Sequence, residues 1–304
     1  MAVEKKMKKY CQIALRVCRI FMFAAALALV LSGRLGAQGA GARGPANPQA
    51  PPARTPRVAA PKDLTGYWES VVTEYWRYRM IVPDKSDYVI TPLNAEGRKV
   101  ADAWDPAKDK ADGNECKGYG AAAIMQVPGR LHIYWQDDTT LRIDTDSGTQ
   151  TRLLHFGASV PANMAPDWQG YSSASWEGIG PDSQRAGGGG PVQNANAGGA
   201  QGAVGPLRAR EVGGAVPGYL KAITTQMRPG YLRKNGVPYS DKATVEEYFD
   251  RFTDPYSNET WLVVTTVVAD PQYLTEPSIT HAHFKKIPDG SGWDPTPCRA
   301  DEAR

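Results

Sequence analysis

Two histidines near the C-terminal end of the chain, His281 and His283, lie two positions apart. Side chains of a β-strand alternate between its two faces, so on a strand both imidazoles would share one face. Together with a third ligand from a neighbouring strand, they could hold a transition metal such as zinc. The pair alone does not specify a metal site. We therefore predict no metal and keep both histidines as candidates for ligand binding.

An acidic residue among aromatic residues is the second feature that could do chemistry. Glu74 alternates with Trp68, Trp76 and Tyr78, so one continuous strand would place the four side chains on the same face. If that face lines an interior, Glu74 is a candidate general acid or polar anchor for a ligand, and Trp76 and Tyr78 are candidates for contacts with its apolar part. A bend near Glu74 would instead leave its carboxylate exposed.

Other charged residues in predicted strands have a simpler explanation. Arg142, Arg152, Glu247 and Arg251 can form ion pairs across strands, which is the usual role of such charges, or line a polar pocket. The carboxylates of Asp137-Asp138 fit a hairpin turn, where Asp is favoured. The sequence contains no nucleophile elbow, no His-Glu-x-x-His motif and no dinucleotide fingerprint. We assign no catalytic residue and no cofactor.

The N-terminus has the pattern of a secretory signal. Six basic residues lie between positions 5 and 19, and residues 20–31 are twelve uninterrupted apolar residues. Twelve residues are too few to span a bilayer, which needs about 20 in a helix, so we expect no stable membrane anchor. Small residues follow, and we predict a signal peptide over residues 1–37 with cleavage after Ala37. An uncleaved N-terminal anchor is the alternative. The predicted location is the periplasm or the exterior.

Removing the signal changes the charge of the protein. Residues 1–37 contain seven basic residues and one acidic residue, a net charge of +6. The whole chain carries +3, so the remainder carries −3. A mildly acidic domain does not attract phosphate backbones, and this excludes nucleic acid as a partner.

Cysteine usage agrees with export. Cys116 and Cys298 are the cysteines that remain after residue 37. Two cysteines in an oxidising compartment favour one disulfide, which would close a loop of roughly 180 residues. Two free thiols are the alternative.

Two stretches of low complexity bound the folded part of the chain. Residues 38–62 are rich in Ala, Pro and Gly and have almost no large apolar side chain, so we expect a disordered leader. Residues 180–216 include a Gly-Gly-Gly-Gly run and predict a long loop inserted between two strand-rich halves. We predict a single β-domain over residues 63–300 with this loop as an insertion.

Alternation of apolar and polar residues predicts a mainly β fold of about 8–10 strands. The Asn235-Gly236 pair is the strongest turn signal. One short helix is expected after Asn94, which can cap it, with Pro106 preventing its continuation. Short, regularly spaced strands favour a closed barrel or, alternatively, a β-sandwich. The expected strands cover residues 67–73, 75–80, 131–135, 141–143, 153–156, 169–176, 220–227, 245–252, 261–268 and 279–284.

The first expected strand begins with Gly66-Tyr67-Trp68, and this Gly-x-Trp pattern resembles the lipocalin (calycin) family. The resemblance implies an antiparallel up-and-down barrel in which Gly66 allows a tight turn and Trp68 closes one end. Lipocalins usually place an Arg of the last strand over that Trp, and here the last strand offers Lys285 and Lys286. The chain also resembles uncharacterised exported bacterial proteins with an Asp-Pro-x-Tyr-Leu-Thr-x-Pro stretch, here residues 270–277.

The resemblance implies a barrel lumen that receives a small molecule. We therefore expect an exported lipocalin-like protein that binds a small, partly apolar ligand without transforming it. The alternatives are a hydrolase or isomerase on the same scaffold and a structural envelope protein with a filled barrel. A cavity of roughly 300 Å³ or more would favour binding. Convergent titratable groups would favour an enzyme, and a packed interior a structural role. The sequence specifies no oligomeric state.

Overall fold

Nine of the eleven strands among the described residues close into a barrel in the computed structural model, which describes residues 54–178 and 218–301. The barrel order is β1-β11-β10-β9-β6-β5-β4-β3-β2, and β1 also pairs with β2. The strands are β1 Gly66–Val71, β2 Arg130–Trp135, β3 Thr140–Thr145, β4 Thr151–Phe156, β5 Tyr171–Glu177, β6 Tyr219–Thr225, β7 Gly230–Arg233, β8 Val237–Tyr239, β9 Thr244–Thr253, β10 Thr260–Ala269 and β11 Ser278–Ile287.

The predicted mainly β fold is confirmed, and the architecture is a barrel rather than a sandwich. One pair departs from the expected antiparallel up-and-down pattern, because β4 and β5 are parallel. The connection between them, residues 157–170, is long enough to return the chain to the end of the barrel where β4 began. The remaining barrel pairs are antiparallel, and β7 and β8 form a separate hairpin between β6 and β9.

Inward-facing side chains fill the barrel. Alternate residues of β9, β10 and β11 are buried, as the period of two requires. They join inward-facing residues of the other strands in one apolar cluster, which includes Trp68, Leu131, Ile133, Leu141, Ile143, Leu154, Leu220, Phe249, Leu262, Val264, Ala282 and Phe284. Apolar area removed from water on this scale is the main stabilising term of the fold.

The second expected strand, over residues 75–80, is wrong. β1 ends at Val71, and a short helix, α1, covers Trp76–Met80. Tyr75 adopts a left-handed conformation with φ of 52°, which turns the chain before the helix. The break separates Glu74, Trp76 and Tyr78 from the face of Trp68, so the shared face expected from alternation does not exist.

The predicted number of helices, one, is too low. Three short α-helices and two 3₁₀ turns occur in the described residues. The expected helix is α2, and its Asn94 cap is confirmed: the side chain accepts a hydrogen bond from the Gly97 N–H. The additional helices are α1 and α3. Asp105 caps the N-terminus of α3. The bounds are α2 Ala95–Asp102, α3 Pro106–Ala111, and 3₁₀ turns Glu115–Tyr119 and Ile124–Gln126.

The predicted disulfide is confirmed. Cys116 and Cys298 are bonded, with their Cα atoms 5.0 Å apart. The bond joins the first 3₁₀ turn, Glu115–Tyr119, to the tail after β11.

Several expectations concern residues at the margins of the described ranges. The signal peptide over 1–37, most of the leader over 38–62 and the whole loop over 180–216 lie outside the described residues. The last residues of the leader contact the barrel, because Trp176 Nε1 donates to the Pro56 carbonyl at 2.8 Å and the Arg57 N–H to the Asp138 carbonyl. Within residues 54–178 and 218–301, no helix has the length and apolarity to cross a membrane.

Candidate functional site

One end of the barrel is closed by Trp68. Its side chain is 0% exposed, and its Nε1 donates to the Leu64 carbonyl at 3.0 Å. The Lys286 ammonium lies 5.4 Å from the centre of the indole ring, within the range of a cation–π contact. Lys286 thus occupies the place that the lipocalin resemblance gives to an Arg. Gly66 has φ of 116°, a conformation that side chains disfavour, as the tight turn requires.

The opposite end is covered by residues 118–127, which we call the plug. Residues 118–125 are all buried, and Tyr119, Ile124 and Met125 belong to the same apolar cluster as the barrel interior. The Gln126 side-chain amide donates to the His281 carbonyl at 2.8 Å and ties the plug to β11. Small residues, Ala121 to Ala123, let the plug lie close against the strands.

A cleft lies where the plug meets α1, the β7–β8 hairpin and the ends of β10 and β11; we call it the mouth cleft. Val268, Ser278 and Thr280 place it at the start of β11, whereas Trp68 pairs with Lys286 near the end of that strand. The enclosed volume of the cleft is small, about 60 Å³, and lies below the roughly 300 Å³ that the sequence analysis set for a binding cavity. The cleft is therefore shallow and narrow. It is lined by Tyr75, Tyr78, Arg79, Ile81, Ile90, Thr91, Gly118, Ala122, Ala123, Gln126, Val127, Leu232, Arg233, Lys234, Val268, Ser278 and Thr280.

Arg79 is the most buried charged residue of the cleft, at 4% exposure. Its Nη1 donates to Glu74 Oε1 at 2.8 Å, and its Nε donates to the Gln126 carbonyl at 3.0 Å. Burial lowers the pKa of Arg79, and the charge of Glu74 opposes that shift. The side chain therefore joins α1 to the plug and presents a fixed guanidinium at the cleft wall.

Arg233 is the second guanidinium at the wall. It lies over the Tyr78 ring, 4.4 Å from the ring centre, so the aromatic face orients it. Burial lowers the pKa of Arg233 to about 10, and it remains protonated at neutral pH. Lys234 follows it in the chain and donates to the Tyr119 hydroxyl at 2.6 Å.

Beside the cleft, Glu74 and His283 form a polar cluster with Thr73. Glu74 Oε2 lies 2.8 Å from His283 Nδ1, and Thr73 Oγ1 lies 2.8 Å from the same nitrogen. A nucleophile relay needs the hydroxyl and the carboxylate on different nitrogens of the imidazole. Because both approach Nδ1, the cluster has the geometry of a structural contact that holds the chain between β1 and α1 against β11.

His281 shares the outer face of β11 with His283, as its spacing predicted. Its Nδ1 lies 3.0 Å from Thr265 Oγ1 on β10. Among residues 54–178 and 218–301, no group of three or more His, Cys, Asp or Glu side chains could hold a metal ion.

Trp76 is not among the residues that line the cleft, and it is 64% exposed. It belongs to a set of exposed large apolar side chains on α1 and the loop after it, which we call the apolar rim: Trp76, Met80, Ile81, Val89 and Ile90. Two members of the rim, Ile81 and Ile90, also line the mouth cleft.

Inside the barrel, a polar network replaces the expected cavity. Arg152 on β4 and Glu247 on β9 form an ion pair, and both side chains are 0% exposed. β5 and β6 separate the two strands in the sheet, so the pair spans the interior. Arg152 also donates to Thr224 Oγ1 at 3.4 Å, and Thr224 contacts the Ser172 hydroxyl at 2.7 Å. The expectation that mid-strand charges pair across strands is correct for these two residues.

The structure thus brings one of the sequence-derived candidates, Tyr78, into the cleft. It places Glu74 beside the cleft on Arg79, the two histidines on the outer face of β11 and Trp76 on the rim. Sequence analysis missed Arg79 and Arg233, which lie 154 positions apart. Their only local signal is that each stands close to aromatic residues.

Comparison with known proteins gives no relative: no protein-family model, no curated protein and no solved structure matches this chain.

Proposed function

We propose that this chain is an exported, lipocalin-like barrel protein that binds a small, partly apolar ligand in the mouth cleft and releases it unchanged. The observation that carries the proposal is an open apolar surface on a protein whose interior is filled. Exposed apolar side chains normally occur singly, and a cluster of them beside a concavity is typical of a binding site.

The cleft and its rim supply that surface. Ile81, Ile90, Val127, Leu232 and Val268 give the cleft an apolar lining. The rim continues it outward, with Val89 at 84% exposure. A cleft of such small enclosed volume suits an alkyl chain or a single ring better than a fused ring system.

The proposal moves the ligand from the lumen to the mouth. In the lumen, the apolar cluster and the Arg152–Glu247 pair occupy the space that a ligand would need. The mouth is the end opposite Trp68, where a barrel closed at one end receives its ligand. Because the plug covers this end of the barrel, the proposed site is a shallow cleft between the plug and α1.

The geometry favours binding over catalysis. His283 has both Thr73 and Glu74 on one ring nitrogen, and neither residue lines the cleft. The cleft's own polar groups are guanidinium, ammonium, hydroxyl and amide groups, which suit recognition.

Native mass spectrometry of the protein purified from its own cells tests the proposal first, since a retained ligand adds mass. A titration with 4-phenylbutan-1-ol, followed by calorimetry, tests the cleft itself. Ile81→Asp should abolish binding because it places a charge on the lining. Ile279→Asp is the matched control, because Ile81 and Ile279 are 51% and 54% exposed but only Ile81 lines the cleft.

Loss of binding in both variants, or in neither, would contradict the cleft as the binding site. A structural envelope role is the second candidate, and the filled barrel favours it. That candidate predicts no retained ligand and no binding of the alcohol by the unmodified protein.

A further inference from the structure

The charged residues that line the mouth cleft all carry the same sign. Arg79, Arg233 and Lys234 are basic, and no acidic residue is among the cleft-lining residues of the described chain. Two carboxylates lie behind this wall, Glu74 on Arg79 and Asp87 near Arg233, but neither lines the cleft, so the surface that a ligand would meet is basic although the domain as a whole is mildly acidic. Such a cleft attracts anions in preference to neutral molecules or cations.

Arg79 has one hydrogen-bonding group left over. Its Nη1 and Nε are bonded to Glu74 and Gln126, whereas its buried Nη2 has no hydrogen-bond partner within residues 54–178 and 218–301. Buried donors are nearly always paired, and a charged donor left unpaired costs more than a neutral one. An acceptor brought by a ligand would satisfy this group.

Glu74 does not serve as that acceptor. Its Oε1 accepts from Arg79 Nη1, and its Oε2 is engaged by His283 and Thr73. The carboxylate is thereby held at the side of the guanidinium that carries Nη1. This leaves Arg79 oriented by protein contacts before any ligand arrives, which lowers the entropic cost of binding.

Arg233 adds a second, partly desolvated charge. Stacking on Tyr78 fixes the plane of its guanidinium. Its Nη1 donates a long, and therefore weak, hydrogen bond of 3.5 Å to the Asp87 carbonyl. Partial burial weakens its hydration, so an anion in the cleft would be attracted more strongly than by a fully solvated Arg.

We propose that the ligand of the mouth cleft is an organic anion, with a carboxylate or sulfonate group that bonds to Arg79 Nη2 and is attracted by Arg233, and with an apolar group that packs against Ile81 and Ile90. This inference rests on the proposed function and adds the chemical class of the ligand. Arg79 and Arg233 become residues that determine specificity.

Three molecules that differ only in their head group test the inference: 4-phenylbutyrate, 4-phenylbutan-1-ol and 4-phenylbutylamine. The full protein is titrated with each by calorimetry at pH 7 and low salt. We expect the acid to bind at least tenfold more tightly than the alcohol, and the amine most weakly. A charge-assisted hydrogen bond is worth about 1.5–3 kcal/mol, or about 10- to 150-fold in affinity.

Arg233→Gln provides the variant test, with Arg142→Gln as its matched control. Both arginines are half-buried and stack on a tyrosine, but Arg142 lies over Tyr134 on the outer face of the barrel. Arg233→Gln should narrow the difference in affinity between acid and alcohol several-fold, whereas Arg142→Gln should leave that difference unchanged. Arg79→Gln should remove most of the difference if the variant folds.

The outcomes separate the two proposals. Equal affinity for the acid and the alcohol would overturn the anion inference and leave the proposed binding function standing. Failure of all three molecules to bind would overturn both. If both Arg233→Gln and Arg142→Gln reduce the preference for the acid to the same extent, the preference is a general effect of net charge. That result would also overturn the inference.

Discussion

The ion pair between Arg152 and Glu247 gives the sharpest test of what stabilises the barrel interior. Glu247→Gln keeps the shape of the side chain but leaves the Arg152 guanidinium buried without a counterion. Removing one partner of a buried ion pair costs about 3–5 kcal/mol. We expect the upper part of that range, because both side chains are 0% exposed and the bond from Arg152 to Thr224 is long, at 3.4 Å.

Unfolding in urea at pH 7, followed by tryptophan fluorescence, measures the loss. For a domain of this size, 1 kcal/mol corresponds to about 2–4 °C in Tm, so a cost of about 4–5 kcal/mol should lower the Tm of Glu247→Gln by about 8–20 °C. Arg142→Met is the control, because the Arg142–Asp144 pair is partly exposed on the outer face. Its cost should stay below about 1 kcal/mol.

A double variant separates lost charge pairing from lost packing. Arg152→Met with Glu247→Leu removes both charges and leaves apolar side chains of similar length. It should cost less than Glu247→Gln alone, since no unpaired charge remains in the interior. The reasoning is refuted if Glu247→Gln costs under about 1 kcal/mol. It is also refuted if the double variant costs as much as the sum of the costs of Arg152→Met and Glu247→Leu measured separately.

Four further predictions concern stability. Trp68→Ala should cost about 3–5 kcal/mol in urea unfolding, against much less for Trp293→Ala near the tail; a cost under about 1 kcal/mol would contradict the role of Trp68 in closing the barrel. Cys298→Ser should lower stability by up to about 5 kcal/mol, and non-reduced wild-type protein should show no titratable thiol from this pair in a thiol assay. Burial lowers the pKa of His155, so the free energy of unfolding should fall as pH drops below about 6.5, and His155→Gln should reduce that fall between pH 7.5 and 5.5; an equal fall in the variant would rule His155 out. Deleting residues 186–205, which lie outside the described residues, should change Tm by no more than a few degrees in a thermal scan, and a larger drop would mean that they pack on the domain.

The barrel could be predicted because its signals are local. Alternation over β2, β3, β9, β10 and β11 follows from one buried and one solvated face. The Asn235-Gly236 pair forms the expected turn between β7 and β8, where Gly236 has φ of 84°. The disulfide followed from counting the cysteines left after residue 37.

The cleft could not be predicted because its residues meet only in the folded molecule. The aromatic and basic residues around Tyr78 alternate as in a strand, yet contacts of Arg79 with Glu74 and the Gln126 carbonyl hold them as a helix. Tertiary contacts override the local pattern there. Likewise, the parallel pairing of β4 with β5 depends on the path of the connection between them, residues 157–170. This segment has no periodic pattern of apolar residues from which its path could be predicted.

The closure of the barrel by its first strand has a consequence for the order of folding. β1 pairs with β2 on one side and with β11 on the other, and Tyr67 meets Ile287 at the far end of the domain. Contacts so distant in sequence form late, because loop closure costs entropy before the contacts compensate for it. The hairpins of β9, β10 and β11 join neighbours and should form first. A chain that lacks β11 would expose the unpaired edges of β1 and β10, and such edges are templates for aggregation until the last strand is in place.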